Sequence, residues 1–137
     1  MLVTAPEYGG DGKTVDRCAS KKAPFAWFPA HWAPMSALFY TGSMLPDQYK
    51  TGAFIAFHGS WNRAPMPQAG YKVVYTALAN APWGGNYETI ADGFAGGNMQ
   101  PDAAKHRPVG LAQAPDGALF ISDDKGGRIW RVTWTGK

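Results

Sequence analysis

The stretch "VGLAQAPDGALFISDDKGGRIWRVTW", residues 109–134, sets the fold. Three short runs rich in apolar, β-branched and aromatic residues are separated by "PDG" and "KGG". Such Gly-containing breaks between alternating runs are hairpin signals. The same order occurs upstream: "SALFYTG", "AFIAFHGS" and "YKVVYTAL" read as strand, turned strand and aromatic-rich strand, with "YETIADGF" as a fourth, outer strand. No amphipathic helical period is found, and the chain reads as all-β.

Working outward, residues 1–36 are broken by Pro and Gly and read as an extended arm or long loop. Within this arm, "FAWFPAHWAP" is aromatic enough to pack on something. Repeated antiparallel units of three or four strands are the pattern of propeller blades. Residues 37–97 and 106–137 read as two such blades, the second incomplete at three strands. Two blades close no ring, since about four are needed. The expectation is part of a larger propeller, or a chain that associates through its open sides. When the two units are overlaid, His58 falls on Asp123, Phe57 on Ser122, Pro34 on Pro108 and Leu38 on Leu111.

Composition supports this class and excludes others. Among 137 residues, 17 Gly and 11 Pro make about a fifth of the chain, against the ~12% usual for both together. The 6 Trp, 6 Tyr and 7 Phe suit strands better than packed helices. The net charge is +3, with basic residues scattered rather than striped, which argues against nucleic-acid binding. No apolar run is long enough to span a membrane, and "MLVTAPEYGG" has no signal-peptide pattern. Cys18 is the sole cysteine, so neither a disulfide nor a CxxC site is available.

The chemistry-bearing segment is "FIAFHGSWNR", residues 54–63. An apolar strand ends in His58, Gly59, Ser60, Trp61, Asn62 and Arg63, and the insertion "SWNRAPMPQAG" follows. A guanidinium pairs with carboxylates, an amide and an imidazole donate or accept hydrogen bonds, and an indole offers a flat surface. Packing between strands is the competing role for His58 and Trp61. Arg107, ahead of Pro108, and His31, ahead of Pro34, stand at matching strand entrances. His106 beside Arg107 reads as solvated. Asp123 is expected to reach the same rim, with Lys125 or Arg128 pairing with it. Asp123 and Asp124 offer too few oxygens for a calcium site, so no metal ligand is assigned. The "GGDG" at 9–12 and "DGFAGGN" at 92–98 read as turns rather than phosphate loops.

"HWAPMSALFYTG", "AFIAFHGSWNR", "GYKVVYTAL" and "RPVGLAQAPDGALFISDDKGGRIWRV" together resemble the C-terminal third of the pyrroloquinoline quinone (PQQ)-dependent sugar dehydrogenases, in their L-sorbosone dehydrogenase branch. The resemblance covers roughly residues 24–134. It implies a six-bladed β-propeller with PQQ across the central channel, a calcium ion on its quinone side and a sugar above it. It also implies oxidation of an alcohol or hydrated aldehyde, with electrons passing to an acceptor such as a cytochrome, in the periplasm or after secretion. Carried onto this chain, it places His58, Trp61, Asn62, Arg63 and Arg107 at the cofactor, and His31, Asp123, Lys125 and Arg128 along the channel or substrate. Two departures stand out. Ser36 replaces the Gly of the family's "PLG"-type turn, and the family's catalytic histidine belongs to an early blade that this chain does not contain. No turnover by these residues alone is therefore expected. The alternative is a non-catalytic propeller module that binds carbohydrate or protein through Trp27, Phe28, Trp32 and Trp83.

Overall fold

The computed structural model of the chain describes residues 3–22, 24–78 and 86–136. Among the described residues, seven strands form two antiparallel sheets. The first holds β1 (Pro34–Phe39), β2 (Gly52–Phe57), β3 (Lys72–Ala77) and β4 (Glu88–Ala91) in sequential order. The second holds β5 (Pro108–Gln113), β6 (Leu119–Asp123) and β7 (Arg128–Val132). Among the described residues, the helical segments are short 3-10 turns at Pro6–Tyr8, Asp16–Ser20 and Asp47–Thr51. The expected strands are all present, and β1 begins at Pro34, two residues before the "SALFYTG" run.

Burial follows from strand order. The central strand β2 is covered on both faces, and its Phe54, Ala56 and Phe57 have almost no exposed surface. Strand β1, at the edge, is half exposed. The two sheets share one core. Leu38, Phe54, Ala56, Val73 and Tyr75 face Leu111, Leu119, Ile121, Trp130 and Val132. Each fully buried side chain of this size contributes roughly 1.5–3 kcal/mol relative to exposure. On its other face the first sheet packs Ile55, Phe57 and Val74 against Phe28, Trp32 and Tyr87. The aromatic arm segment is thus anchored, with Trp32 edge-on to Phe57 at 5.3 Å.

The ladders correct the overlay of the two units by one residue. Pro34 stands opposite Phe57, and Pro108 opposite Asp123. Counted from those prolines, Asp123 takes the place of Phe57, Asp124 that of His58, and Leu111 that of Ala37. The cause is geometric. One sheet meets its neighbour with the opposite face, so its core-facing residues shift by one along a period-2 strand. Matching hydrophobic residue to hydrophobic residue builds that slip in. In the same count Ser36 matches Gly110.

Polar groups also join the sheets. The buried Tyr40 hydroxyl donates to the Gly117 carbonyl at 2.7 Å and accepts from the Met44 and Leu45 amides. The side-chain Oε1 of Gln113 accepts from the amides of Thr41 and Gly42. The Leu111 amide donates to the Ser36 hydroxyl oxygen at 3.3 Å, so the departure from glycine adds a contact between sheets.

Candidate functional site

The ends of β2 and β6 and the entrance to β5 meet at one rim of the two sheets. Gly59 sits at φ +97°, and a Cβ there would lie 2.4 Å from the Tyr71 ring. Only glycine allows the chain to turn out of β2 while packed on that aromatic. Ser60, fully buried, ties off the base of the loop. Its amide donates to the Ala69 carbonyl, its hydroxyl donates to Gln68 Oε1, and the same oxygen accepts from the Ala69 amide. The Tyr71 hydroxyl lies 2.7 Å from the Ser60 carbonyl and 2.8 Å from that of Met99. Burial pushes the Tyr71 phenol up from its usual range, against the opposing charge of Arg107.

Above this base, Trp61 is 73% exposed and Asn62 is exposed. Arg63 donates through Nε to the Ala30 carbonyl and through a terminal nitrogen to the Pro67 carbonyl. It therefore clamps its own loop to the arm. A guanidinium has five N–H groups, so Arg63 retains donors beyond these two.

Arg107 is a cross-brace between the sheets. Its Nε donates to the His58 carbonyl at 3.1 Å and its terminal nitrogen to the Gly59 carbonyl at 2.6 Å, with the guanidinium 5.5 Å from the Tyr71 ring centre. The His58 amide donates to the Ala33 carbonyl at 2.9 Å. The His58 ring meets Asp124, Nε2 to Oδ1 at 2.9 Å. His58 and Gly59 are thereby joined to Arg107 and Asp124, 48 to 66 positions away.

Asp123 does not lie open to the rim as expected. Its side chain is 0% exposed, and its two oxygens accept from the amides of Arg107, Gly126 and Lys125 at 2.7–3.1 Å and from His106 Nδ1 at 2.7 Å. Burial alone raises its pKa, but those donors outweigh it and hold the carboxyl below its ordinary value. His106, expected to be solvated, is instead fixed between Asp123 and the Trp130 ring. Lys125 meets Asp123 through its backbone amide, while its ammonium donates to the carbonyls of Pro101 and Asp102. Arg128 stands opposite Asp123 in the β6–β7 ladder and lines a cleft of about 370 Å³ with Asp92, His106 and Trp130. His31, at φ +66°, lines a second cleft of about 460 Å³ with Phe28, Trp32, Phe57 and Trp61.

Sequence reading passes over Tyr71, and it names Asp124, His106 and Ser60 without the partners found here. Only the adjacency of Asp123 and Asp124 at a hairpin hinted at a paired role. Of the aromatic residues put forward for a binding module, Phe28 and Trp32 are packed on the first sheet, Trp27 is half exposed, and Trp83 lies outside the described residues. Among the described residues, no group of three or more His, Cys, Asp or Glu side chains could hold a metal ion. None of their helices is long and apolar enough to cross a membrane.

Two antiparallel sheets packed through a shared core define an all-β scaffold, with the loop after β2 and the turn after β6 at one rim. A family model described as TrAA12-like matches residues 4–135. The chain belongs to that family. It is 38% identical over 106 residues to an uncharacterised protein of Borreliella burgdorferi, covering 76% of this chain and 26% of that one. It is 30% identical over 158 residues to a pyrroloquinoline quinone-dependent pyranose dehydrogenase of Coprinopsis cinerea, covering 93% and 20% respectively. An iodide structure of a Trichoderma reesei carbohydrate-active enzyme of family AA12 superposes with a TM-score of 0.55 at 30% identity, covering 73% of this chain and 24% of that one. The chain thus spans about a fifth to a quarter of the length of these relatives.

Proposed function

We propose that this chain forms two blades, residues 37–97 and 106–137, of a β-propeller that acts as a PQQ-dependent sugar dehydrogenase, and that it supplies part of the cofactor pocket. The observation that carries this reading is the rim cluster. Arg107 holds the carbonyls of His58 and Gly59 there, and the loop running on from them carries the exposed Trp61 and Asn62 and the clamped Arg63, in a chain of the TrAA12-like family.

The residues present fit such a cofactor in type. PQQ is planar and carries three carboxylates. Arg63 and Arg107 each spend two N–H groups on backbone carbonyls, leaving donors on already immobilised guanidiniums for a carboxylate. Asn62 adds an amide donor and Trp61 a flat surface. When bound, the cofactor supplies the quinone that oxidises the sugar. This chain's own residues hold and orient it, and the aromatic cleft with His31 offers a neighbouring surface to a sugar ring. Calcium enters through the resemblance alone. The described residues gather no carboxylate set for it, and no ligand to it is assigned. An electron acceptor such as a cytochrome, and a periplasmic or secreted location, belong to the same proposal. The open sides, with Met35, Phe39 and Ile129 exposed, favour association with further blades or with a second copy.

The test is titration of the chain with PQQ and calcium, read by quenching of tryptophan fluorescence. Asn62→Ala is the informative variant, because Asn62 is exposed and outside the loop's hydrogen bonds. Arg63→Ala also removes the clamp on Ala30 and Pro67. Saturable quenching weakened in both variants supports the reading. Quenching unchanged in both, or absent from the folded chain, rejects this rim as the cofactor site.

A further inference from the structure

We propose that Asp124 is a positioning residue for His58, fixing the imidazole so that Nε2 carries the proton and Nδ1 is presented as a hydrogen-bond acceptor to a hydroxyl-bearing ligand. This deepens the function proposed above by assigning His58 to a hydroxyl rather than to a carboxylate.

The argument starts from what each partner can do. An ionised carboxylate only accepts hydrogen bonds. The 2.9 Å contact between Asp124 Oδ1 and His58 Nε2 therefore requires a proton on Nε2. In the neutral ring Nδ1 is then bare and can only accept. Among the described residues, no partner is recorded for Nδ1. A neutral His58 in this state cannot donate to a carboxylate. It can accept a hydrogen bond from an O–H, while its Nε2–H stays on the Asp124 carboxylate.

The surroundings make the orientation a built one. The backbone of His58 is held on both sides, by its amide on Ala33 and by the Arg107 guanidinium on its carbonyl. Only the ring torsions remain to be set, and Asp124 sets them from the other sheet. Asp124 is in turn carried by a fixed turn, since the buried Asp123 carboxylate holds the amides of Lys125 and Gly126. His58 is 19% exposed and Asp124 55% exposed, so the pair adds little to stability. Its effect is on the ring's tautomer and orientation. Asp124→Ala is accordingly expected to fold.

The experiment is long-range proton–nitrogen correlation NMR on the full chain with labelled histidine, at a pH above the histidine titration range. His58 is assigned by loss of its signals in His58→Gln. The expected result is a single Nε2–H tautomer for His58, loss of that uniform signature in Asp124→Ala, and its return in Asp124→Glu. A His58 ring protonated on Nδ1, or one unaffected by Asp124→Ala, overturns the proposal. Titration with PQQ separates the two readings. A fixed tautomer without cofactor binding removes the dehydrogenase reading and keeps the positioning role, whereas binding to a chain whose His58 is a mixture of tautomers does the reverse.

Discussion

Replacing Asp123 tests the physical core of the site. Its carboxylate is fully buried and accepts four hydrogen bonds, from three backbone amides and the His106 ring. Hydrogen bonds to a charged group are worth roughly 1.5–3 kcal/mol each but are not additive. Removing the charged partner from a buried pair typically costs about 3–5 kcal/mol. Asp123→Ala strands all four donors and is expected to cost that much, a large share of the roughly 5–15 kcal/mol that holds a typical domain. Asp123→Asn keeps one acceptor oxygen but turns an NH2 toward donors, and should cost about 2–3 kcal/mol. The assay is urea unfolding followed by tryptophan fluorescence, with the slope against urea unchanged between proteins.

The pH dependence carries the second half of this prediction. The folded-state pKa of Asp123 is lowered from 3.8. The native state therefore binds fewer protons than the unfolded chain in the acid range. The stabilisation is present above the unfolded value and is lost as pH falls through the folded one. Asp123→Asn should flatten the fall of stability below about pH 4. The carboxyls of Asp11, Asp47 and Asp116 are also lowered, but they are solvent-facing and present in both proteins, so the difference between the two curves isolates Asp123. An Asn variant within about 0.5 kcal/mol of the parent, with an unchanged acid limb, would refute the assignment of Asp123 as the anchor of the turn.

Two further outcomes follow from the loop base. Gly59→Ala places a Cβ 2.4 Å from the Tyr71 ring at φ +97°, and is expected to cost about 3 kcal/mol or more, visible as a lower urea midpoint and altered near-UV dichroism. Tyr71→Phe removes the proton shared between the Ser60 and Met99 carbonyls and should cost about 1 kcal/mol, read by the same unfolding assay.

Much of the fold is legible in the sequence because its signals are local. Alternation, Gly-containing turns and breaks located all seven strands, and the division into four and three was readable from the run of "YETIADGF". The "HGSWNR" segment was likewise legible as a place where strand chemistry stops, since none of its polar groups has a use inside a sheet. The overlay of the two units failed by one residue for a reason no single strand contains. Which face of β6 is buried depends on which face of β2 it meets.

Taken alone, the amino-acid order determined the all-β class, the strand sequence, the interrupting loop and the polar and aromatic residue types that the loop carries. Tertiary structure alone decided the partners of those residues. Asp123 is drawn into the turn because three amides and an imidazole converge on it, and Arg107 becomes a brace because the carbonyls of His58 and Gly59 end a strand in the other sheet. A side chain's type is written in the chain, but the groups competing for its hydrogen bonds come from residues distant in sequence, and only packing brings them within reach.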